Sequence, residues 1–573
     1  MKTKSYNLFW SLFTLLSLAG SAVYAAEDKL MNILDEELNR EMDELSEQED
    51  PPYYIDYRVD NISSLSLRTS FGSLVGDNES RSRVLTACVR VGDYEFDNTH
   101  DFPGSFSMSE QSEVYGALLP VEDDPEAIKQ VLWRVTDVAY KNAAGTLSSF
   151  RNNENTGEQK TKLPDFSKEE PSVYYEKPVI SWIGQQEKIK WIERLKEYTS
   201  RFMNDTLILR CEAFLNYNAQ RKYFVSTEGS RIVQNTNYSQ VQLLIEMKHS
   251  KGSVLQYQKS FTASDPSGLP DHEVILEAIS SIYQKLKNMY NAPLAEAYAG
   301  PAILSPAAAG VFFHEIFGHR IEGHRLQSVD DGQTFKDKIG SAVLPAGFNV
   351  YSDPTLEKWQ GQDLIGHYKY DEQGMAGQRV LVVDKGILKN FLMSRQPTEE
   401  FRHSNGHGRA QAGYAPVSRQ SNLIVESTQA VSFEELRKKL IKECRKQKKE
   451  YGYYFKEVIG GLTYTDRYNA NVFDVVPTEV YRIYADGRPD EPVTGVELIG
   501  TPLTMFSNIL AAGNEQEVFT GFCGAESGHV PVTTVAPALF VKKIETQKSP
   551  EINTILPLLP TPDDNMNGKQ SWK

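Results

Sequence analysis

Three histidines, His314, His319 and His324, fall within the stretch FFHEIFGHRIEGHR (312–325), and Glu315 directly follows the first. Imidazole is the commonest metal-binding side chain at neutral pH, and a carboxylate beside a ligand histidine can activate a metal-held water. Zinc peptidases of the familiar kind space their histidines as H-E-x-x-H, but here the second histidine comes one residue late. Side chains four apart sit roughly 40° apart around a helix and can share one ion; five apart, they are about 140° apart. A single π-bulge absorbs one residue and returns both rings to one face, and such bulges concentrate at functional sites. Gly318, just before the second histidine, lowers the cost of that distortion. The spacing therefore predicts a π-type turn between His314 and His319, with Glu315 as general base.

A catalytic zinc takes three protein ligands and keeps one open position. His324, Glu443 in IKECRKQ and Cys523 in TGFCGAESGHVPV are the candidates for the third. His324 lies another five residues on and would need a second bulge or a turn. Cys523 reads as part of a glycine-flanked loop between strands, where a thiolate can be presented to a cleft. A purely structural zinc would need a fourth ligand such as His324. In that alternative the protein is a non-catalytic peptide-binding or assembly factor.

The elements that must position these residues read as α+β in two halves. Residues 27–50 place Leu30, Ile33, Leu34, Leu38, Met42 and Leu45 at helical spacing on a charged background, a helix that docks on its own domain. From Tyr53 to about 98 apolar and polar residues alternate as in antiparallel strands. Helices are predicted over about 124–142, 185–203 and 271–291, with a surface loop from about 148 to 172 and a strand meander over 205–250. After Pro301 the histidine segment is followed by short strands and one basic helix, FEELRKKLIKECRKQKKE. The predicted organisation is a signal peptide (1–25), an N-terminal α+β domain (26–300), a C-terminal metallopeptidase domain (301–546), and an extended or disordered tail (547–573).

The leader carries Lys2 and Lys4, an apolar run from Leu8 to about Leu18, and Val23-Tyr24-Ala25 at the cleavage position, so export to the periplasm or medium is expected. No later stretch is long and apolar enough for stable membrane insertion. A formal charge of −16 without a clear basic patch makes the chain a poor candidate for binding phosphate backbones, so no nucleic-acid partner is expected. Four cysteines, Cys88, Cys211, Cys444 and Cys523, are too few for a disulfide scaffold in 573 residues.

The order of motifs resembles the TldD/PmbA family of metallopeptidases, on the TldD side. SPAAAGVFFHEIFGHRIEG is similar to that family's HExxxH segment, YDEQGMAGQRVLVVDKGILKNFLMSR to its D-[DE]-x-G block, and SNGHGRAQAGYAPVSRQSNL to its glycine-and-arginine block. PVTGVELIGTPLTMFSNILAAGN and GFCGAESGHVPVTTVAPALFVKKI resemble its closing blocks. The resemblance covers most of 300–545 and is fainter before. It implies one Zn2+ per chain held by His314, His319 and Cys523, with Glu315 activating water. It further implies two α+β halves, the peptidase half on a twisted antiparallel sheet. It also implies a homodimer, or a heterodimer with a PmbA-like inactive paralogue, that admits unfolded peptide. His407 and Arg409, in the glycine block, are candidate substrate-binding donors or carboxylate anchors. Arg320, Ala525 and His529 replace the family's usual glycine, lysine and glutamine, departures that bear on substrate preference. The rival resemblance is to dipeptidyl peptidase III, an exopeptidase whose E-E-C-[RK] motif KECRK (442–446) partly imitates, with Lys442 in place of the first glutamate.

Overall fold

The computed structural model describes residues 28–100, 114–154, 163–179, 182–327, 331–465, 473–500 and 502–548. The expected leader and nearly all of the expected tail lie outside them.

The first half is built on a seven-stranded sheet. Strands β1 (Pro52–Ser70) and β2 (Ser73–Val91) form a hairpin whose two turn residues, Phe71 and Gly72, both have positive φ. That is the turn whose twist matches paired strands. β3 (Val114–Leu118) and β4 (Val173–Tyr175) are short; β5 (Ile208–Ser226), β6 (Arg231–Lys248) and β7 (Val254–Ala263) continue the meander. Alternation gives this sheet two unlike faces. Ile55, Tyr57 and Val59 of β1 pack with Leu30, Ile33, Leu34 and Leu38 of the first helix (Lys29–Leu45). Asp28 caps that helix, accepting from the amide of Met31. Val241, Leu243 and Ile245 of β6 pack under the helices Gln185–Ser200 and His272–Met289. The opposite face carries Arg58, Asp60, Gln234 and Gln240 and turns toward the second half.

The helix expected over 124–142 runs to Glu154, so the start of the expected loop is helical. Ala143 and Leu147 bury on the same side as Leu132 and Ala139, which extends the apolar stripe.

The second half is an eleven-stranded sheet. Its long strand Gly528–Lys548 pairs antiparallel with Ile509–Ala525, with β8 (Tyr298–Leu304) and with Val496–Gly500, and parallel with Asn422–Ser427. A second parallel pairing joins β8 to Tyr451–Thr463, so the sheet is mixed and mainly antiparallel. A helix, Pro306–Phe312, capped by Ser305, crosses this sheet and buries Val311 and Phe312 in the core. Cys523, expected in a loop, is instead inside the strand Ile509–Ala525 and faces Val530 across the hairpin. Gly513, Gly521 and Gly524, with Pro531 and Pro537 opposite, hide this hairpin from propensity because both residue types are depleted in strands. None of the four cysteines is disulfide-bonded. No described helix is long and apolar enough to cross a membrane.

The halves meet through polar contacts. Arg395 is enclosed between the rings of Tyr54 and Phe166 and pairs with Glu228 at 2.7 Å. Arg58 donates to the carbonyls of Gln411 and Tyr414.

Candidate metal centre

The helix Pro306–Phe312 gives way to a π-helical turn over Phe313–Phe317, and then to a 3-10 turn over Gly318–Ile321. The amide of Gly318 is shared between the carbonyls of His314 and Phe313, four and five residues back, and the second is the π-type bond that the late histidine demands. Gly318 itself has φ of −56°, an ordinary helical value, so backbone freedom is not why it is glycine. A Cβ there would stand 1.8 Å from Oε1 of Gln420. Gln420 is buried and donates to the carbonyl of His314, so the glycine makes room for a brace on the π turn.

The turn puts the rings of His314 and His319 5.0 Å apart, and the hairpin brings Cys523 to them. One ligand atom from each of His314, His319 and Cys523 lies within 4.8 Å of the others, and all three side chains are buried. Nε2 of His319 is 3.3 Å from the Cys523 sulfur. Burial opposes ionisation of this thiol, yet the imidazoles of His319 and His314 hold it well below its ordinary range. Burial likewise disfavours charge on the two imidazoles, and the same sulfur raises both above theirs. Two imidazole nitrogens and one sulfur within 4.8 Å of one another form a donor set that suits zinc.

Among the described residues no fourth histidine, cysteine or carboxylate joins this group. His324 is turned away, its Nε2 bonded to Glu526. Glu443 sits on the helix Phe433–Lys446, bonded to Gln447 and 3.5 Å from Lys446, and is not brought to the histidines. Glu315 lines the same cavity of about 580 Å³ as the three ligand candidates. His407 is not in that cavity. It is fully enclosed, with Nε2 3.0 Å from Ser352 and Nδ1 3.0 Å from Asn405, and burial pushes its pKa down to about 3. A substrate-binding role for its ring has no access there. Arg409 borders a neighbouring cavity.

Sequence reasoning missed Glu322 and the arginines around it. Glu322 is fully buried and accepts from Nδ1 of His319 at 3.1 Å and from Nε of Arg325 at 3.0 Å. Burial opposes its charge, but His319 and Arg325 bring its pKa down to about 2. The only signal was its position three residues after His319, one helical turn away. Arg419 holds the hairpin, donating to the carbonyl of Cys523 at 2.7 Å and to Ser527 at 2.8 Å. Arg320 folds back on the π turn, donating to the carbonyls of Glu315 at 2.9 Å and Ile316 at 3.1 Å, and reaches Thr463.

The chain is similar to a metalloprotease of Methanothermobacter thermautotrophicus, 27% identical over 56% of this chain and 65% of that one. It is similar too to a zinc metalloprotease TldD homologue of Saccharolobus solfataricus, 24% identical over 56% and 68%. The chain spans about half to two thirds of the length of the curated relatives it matches first. A crystal structure of a putative modulator of DNA gyrase from Thermotoga maritima superposes with a TM-score of 0.60 at 15% identity, over 89% of this chain and 99% of that one. That likeness shows the two-sheet α+β fold. Residues 297–548, which hold all three ligand candidates and Glu315, match the PmbA/TldA metallopeptidase C-terminal domain.

Proposed function

We propose that the protein is a zinc-dependent peptidase that hydrolyses peptide bonds in unfolded polypeptides. The observation that carries this reading is a buried His314–His319–Cys523 set with no fourth described ligand, sharing its cavity with Glu315. A closed structural site needs four ligands, and His324, the residue that would have supplied one, is bonded to Glu526. The zinc in the printed name of the Saccharolobus relative agrees with this donor set.

Bound zinc supplies Lewis acidity, lowering the pKa of a coordinated water to about 7 and polarising a carbonyl. The residues of the chain do the rest. Cys523 and the two imidazoles would hold the ion, and all three line the cavity that substrate would enter. Glu315 takes the proton of the attacking water and returns it to the amine released when the C–N bond breaks. Glu322 holds His319 by its Nδ1, which keeps Nε2 directed at the site. Gln240 and Gln242, from the polar face of the first sheet, line the same cavity and would offer the main chain of an extended peptide hydrogen-bond partners. The leader would place this activity outside the cytoplasm, and assembly as a dimer of one chain or with an inactive paralogue belongs to the same reading.

Glu315→Gln tests it: metal content should be kept while turnover of denatured protein or peptides falls by about 10²–10⁴-fold. Unchanged turnover would remove the peptidase reading.

A further inference from the structure

Three large apolar side chains that stand open to solvent line the metal cavity: Leu462 is 55% exposed, Tyr464 48% and Phe522 38%. One exposed leucine is ordinary, but a group of exposed apolar side chains around a single cavity marks a binding surface. Leu462 and Tyr464 stand two residues apart at the end of the strand Tyr451–Thr463, and Phe522 directly precedes Cys523 in the strand Ile509–Ala525. Tyr238 backs the Phe522 ring, with centroids 4.9 Å apart. Gly460 lines the cavity two residues before Leu462, and a Cβ there would meet nothing within 4 Å. The wall therefore has room for a side chain that the protein does not itself supply.

This wall is tied to the metal turn. Arg320, 5% exposed, donates to the carbonyls of Glu315 and Ile316 and also to the hydroxyl of Thr463 at 3.3 Å and the carbonyl of Tyr464 at 3.4 Å. One guanidinium thus joins the backbone of Glu315 to the backbone that carries Leu462 and Tyr464. The cavity also lacks a free charge to recruit an ionic side chain. Apart from Glu315 and the ligand set, the charged residues described in its lining are Arg325 and Glu526. They pair with each other at 3.1 Å; Arg325 is bonded to Glu322 as well, and Glu526 to His324.

We infer that this wall selects the substrate: the peptide bond cleaved is flanked by a large apolar residue, of the leucine or phenylalanine kind, whose side chain packs on Leu462, Tyr464 and Phe522. The inference rests on the peptidase reading and names its substrate class. Large apolar side chains are mostly buried in folded proteins, so unfolded chains present such sites and native ones do not.

The test uses the zinc-loaded full chain carrying Glu315→Gln and fluorescent octapeptides of glycine, serine and threonine that differ only in one central residue: leucine, phenylalanine, serine, lysine or glutamate. Affinities are read by fluorescence anisotropy. The leucine and phenylalanine peptides should bind at least about tenfold tighter than the other three, as expected for burial of one large apolar side chain. Combining Leu462→Asn with Tyr464→Asn should remove most of that advantage at unchanged melting temperature and zinc content, because both residues are exposed. Equal affinities, no binding of any peptide, tighter binding of the lysine or glutamate peptide, or an advantage that survives the double variant would overturn the wall. So would a double variant that changes the oligomeric state and leaves the affinities as they were, which would make the patch a contact between copies of the chain. Wild-type protein that cleaves all the peptides alike keeps the peptidase and loses the wall. Wild-type protein that cleaves none, while the Glu315→Gln chain prefers leucine and phenylalanine, keeps the wall and loses the peptidase.

Discussion

Nδ1 of His319 lies 3.1 Å from the carboxylate of Glu322, on the side of the ring opposite the Cys523 sulfur. A carboxylate in this position fixes which nitrogen carries the proton and how the ring is aimed. It is itself held by Arg325 at 3.0 Å and approached by Arg419 at 3.6 Å. Glu322→Gln should lower zinc affinity by about 10–100-fold, measured by competition with a chelator. Unchanged affinity would show that His319 is oriented by packing alone. Glu322→Ala should in addition destabilise the chain by about 3–5 kcal/mol, because two arginines lose their buried partner.

The brace behind the π turn makes a second prediction. Gly318→Ala forces the side chain of Gln420 off the carbonyl of His314. A cost of about 1–3 kcal/mol in stability is expected, with weaker metal binding. Adding Gln420→Ala removes the clash and should recover part of the stability, though not the brace. A double variant no more stable than Gly318→Ala would mean that the clash is not the cause.

Much of this site could be read from residue order. The late histidine required a π turn, and the turn is there, because two imidazoles can meet on one ion only if one residue is taken up between them. The first helix and the hairpins of the first half followed from apolar spacing, since each buries one face. The closing hairpin did not, because its glycines and prolines score against strands although its backbone is paired continuously from Gln516 to Ala525. Cys523 therefore looked like a loop residue. Gly318, expected to ease the distortion of the turn, is a spacer, a distinction made only by Gln420, a residue far off in sequence.

His407 makes an acid-stability prediction. Burial pushes its pKa down to about 3, below the ordinary histidine value of 6.5, so the unfolded chain binds its proton more readily than the native one. The native state is therefore not penalised above pH about 6.5 and loses stability as pH falls from there toward 3. The loss attached to this one ring is on the order of 3–5 kcal/mol. His407→Gln should flatten the fall in urea midpoint between pH 6.5 and pH 4.5, even if it lowers the midpoint at pH 7. An unchanged slope would assign the acid limb to other groups.

Metal affinity should depend on pH in the opposite sense to proton affinity. Without metal, the Cys523 sulfur raises the pKa of both histidines, and the imidazoles hold the thiol low. The sulfur is thus ready as thiolate, and the protons to be displaced are those on the imidazoles. Zinc affinity should rise with pH through the raised histidine range and level off above it. A pH-independent affinity would contradict the buried imidazolium–thiolate cluster.

X-ray absorption at the zinc edge, on protein purified as the full chain, tests the central claim most directly. Expected is one sulfur at about 2.3 Å, two nitrogens at about 2.0–2.1 Å and one lighter solvent oxygen, with the sulfur lost in Cys523→Ala. A spectrum with no sulfur, or with four protein ligands and no open position, would contradict the three-ligand catalytic centre.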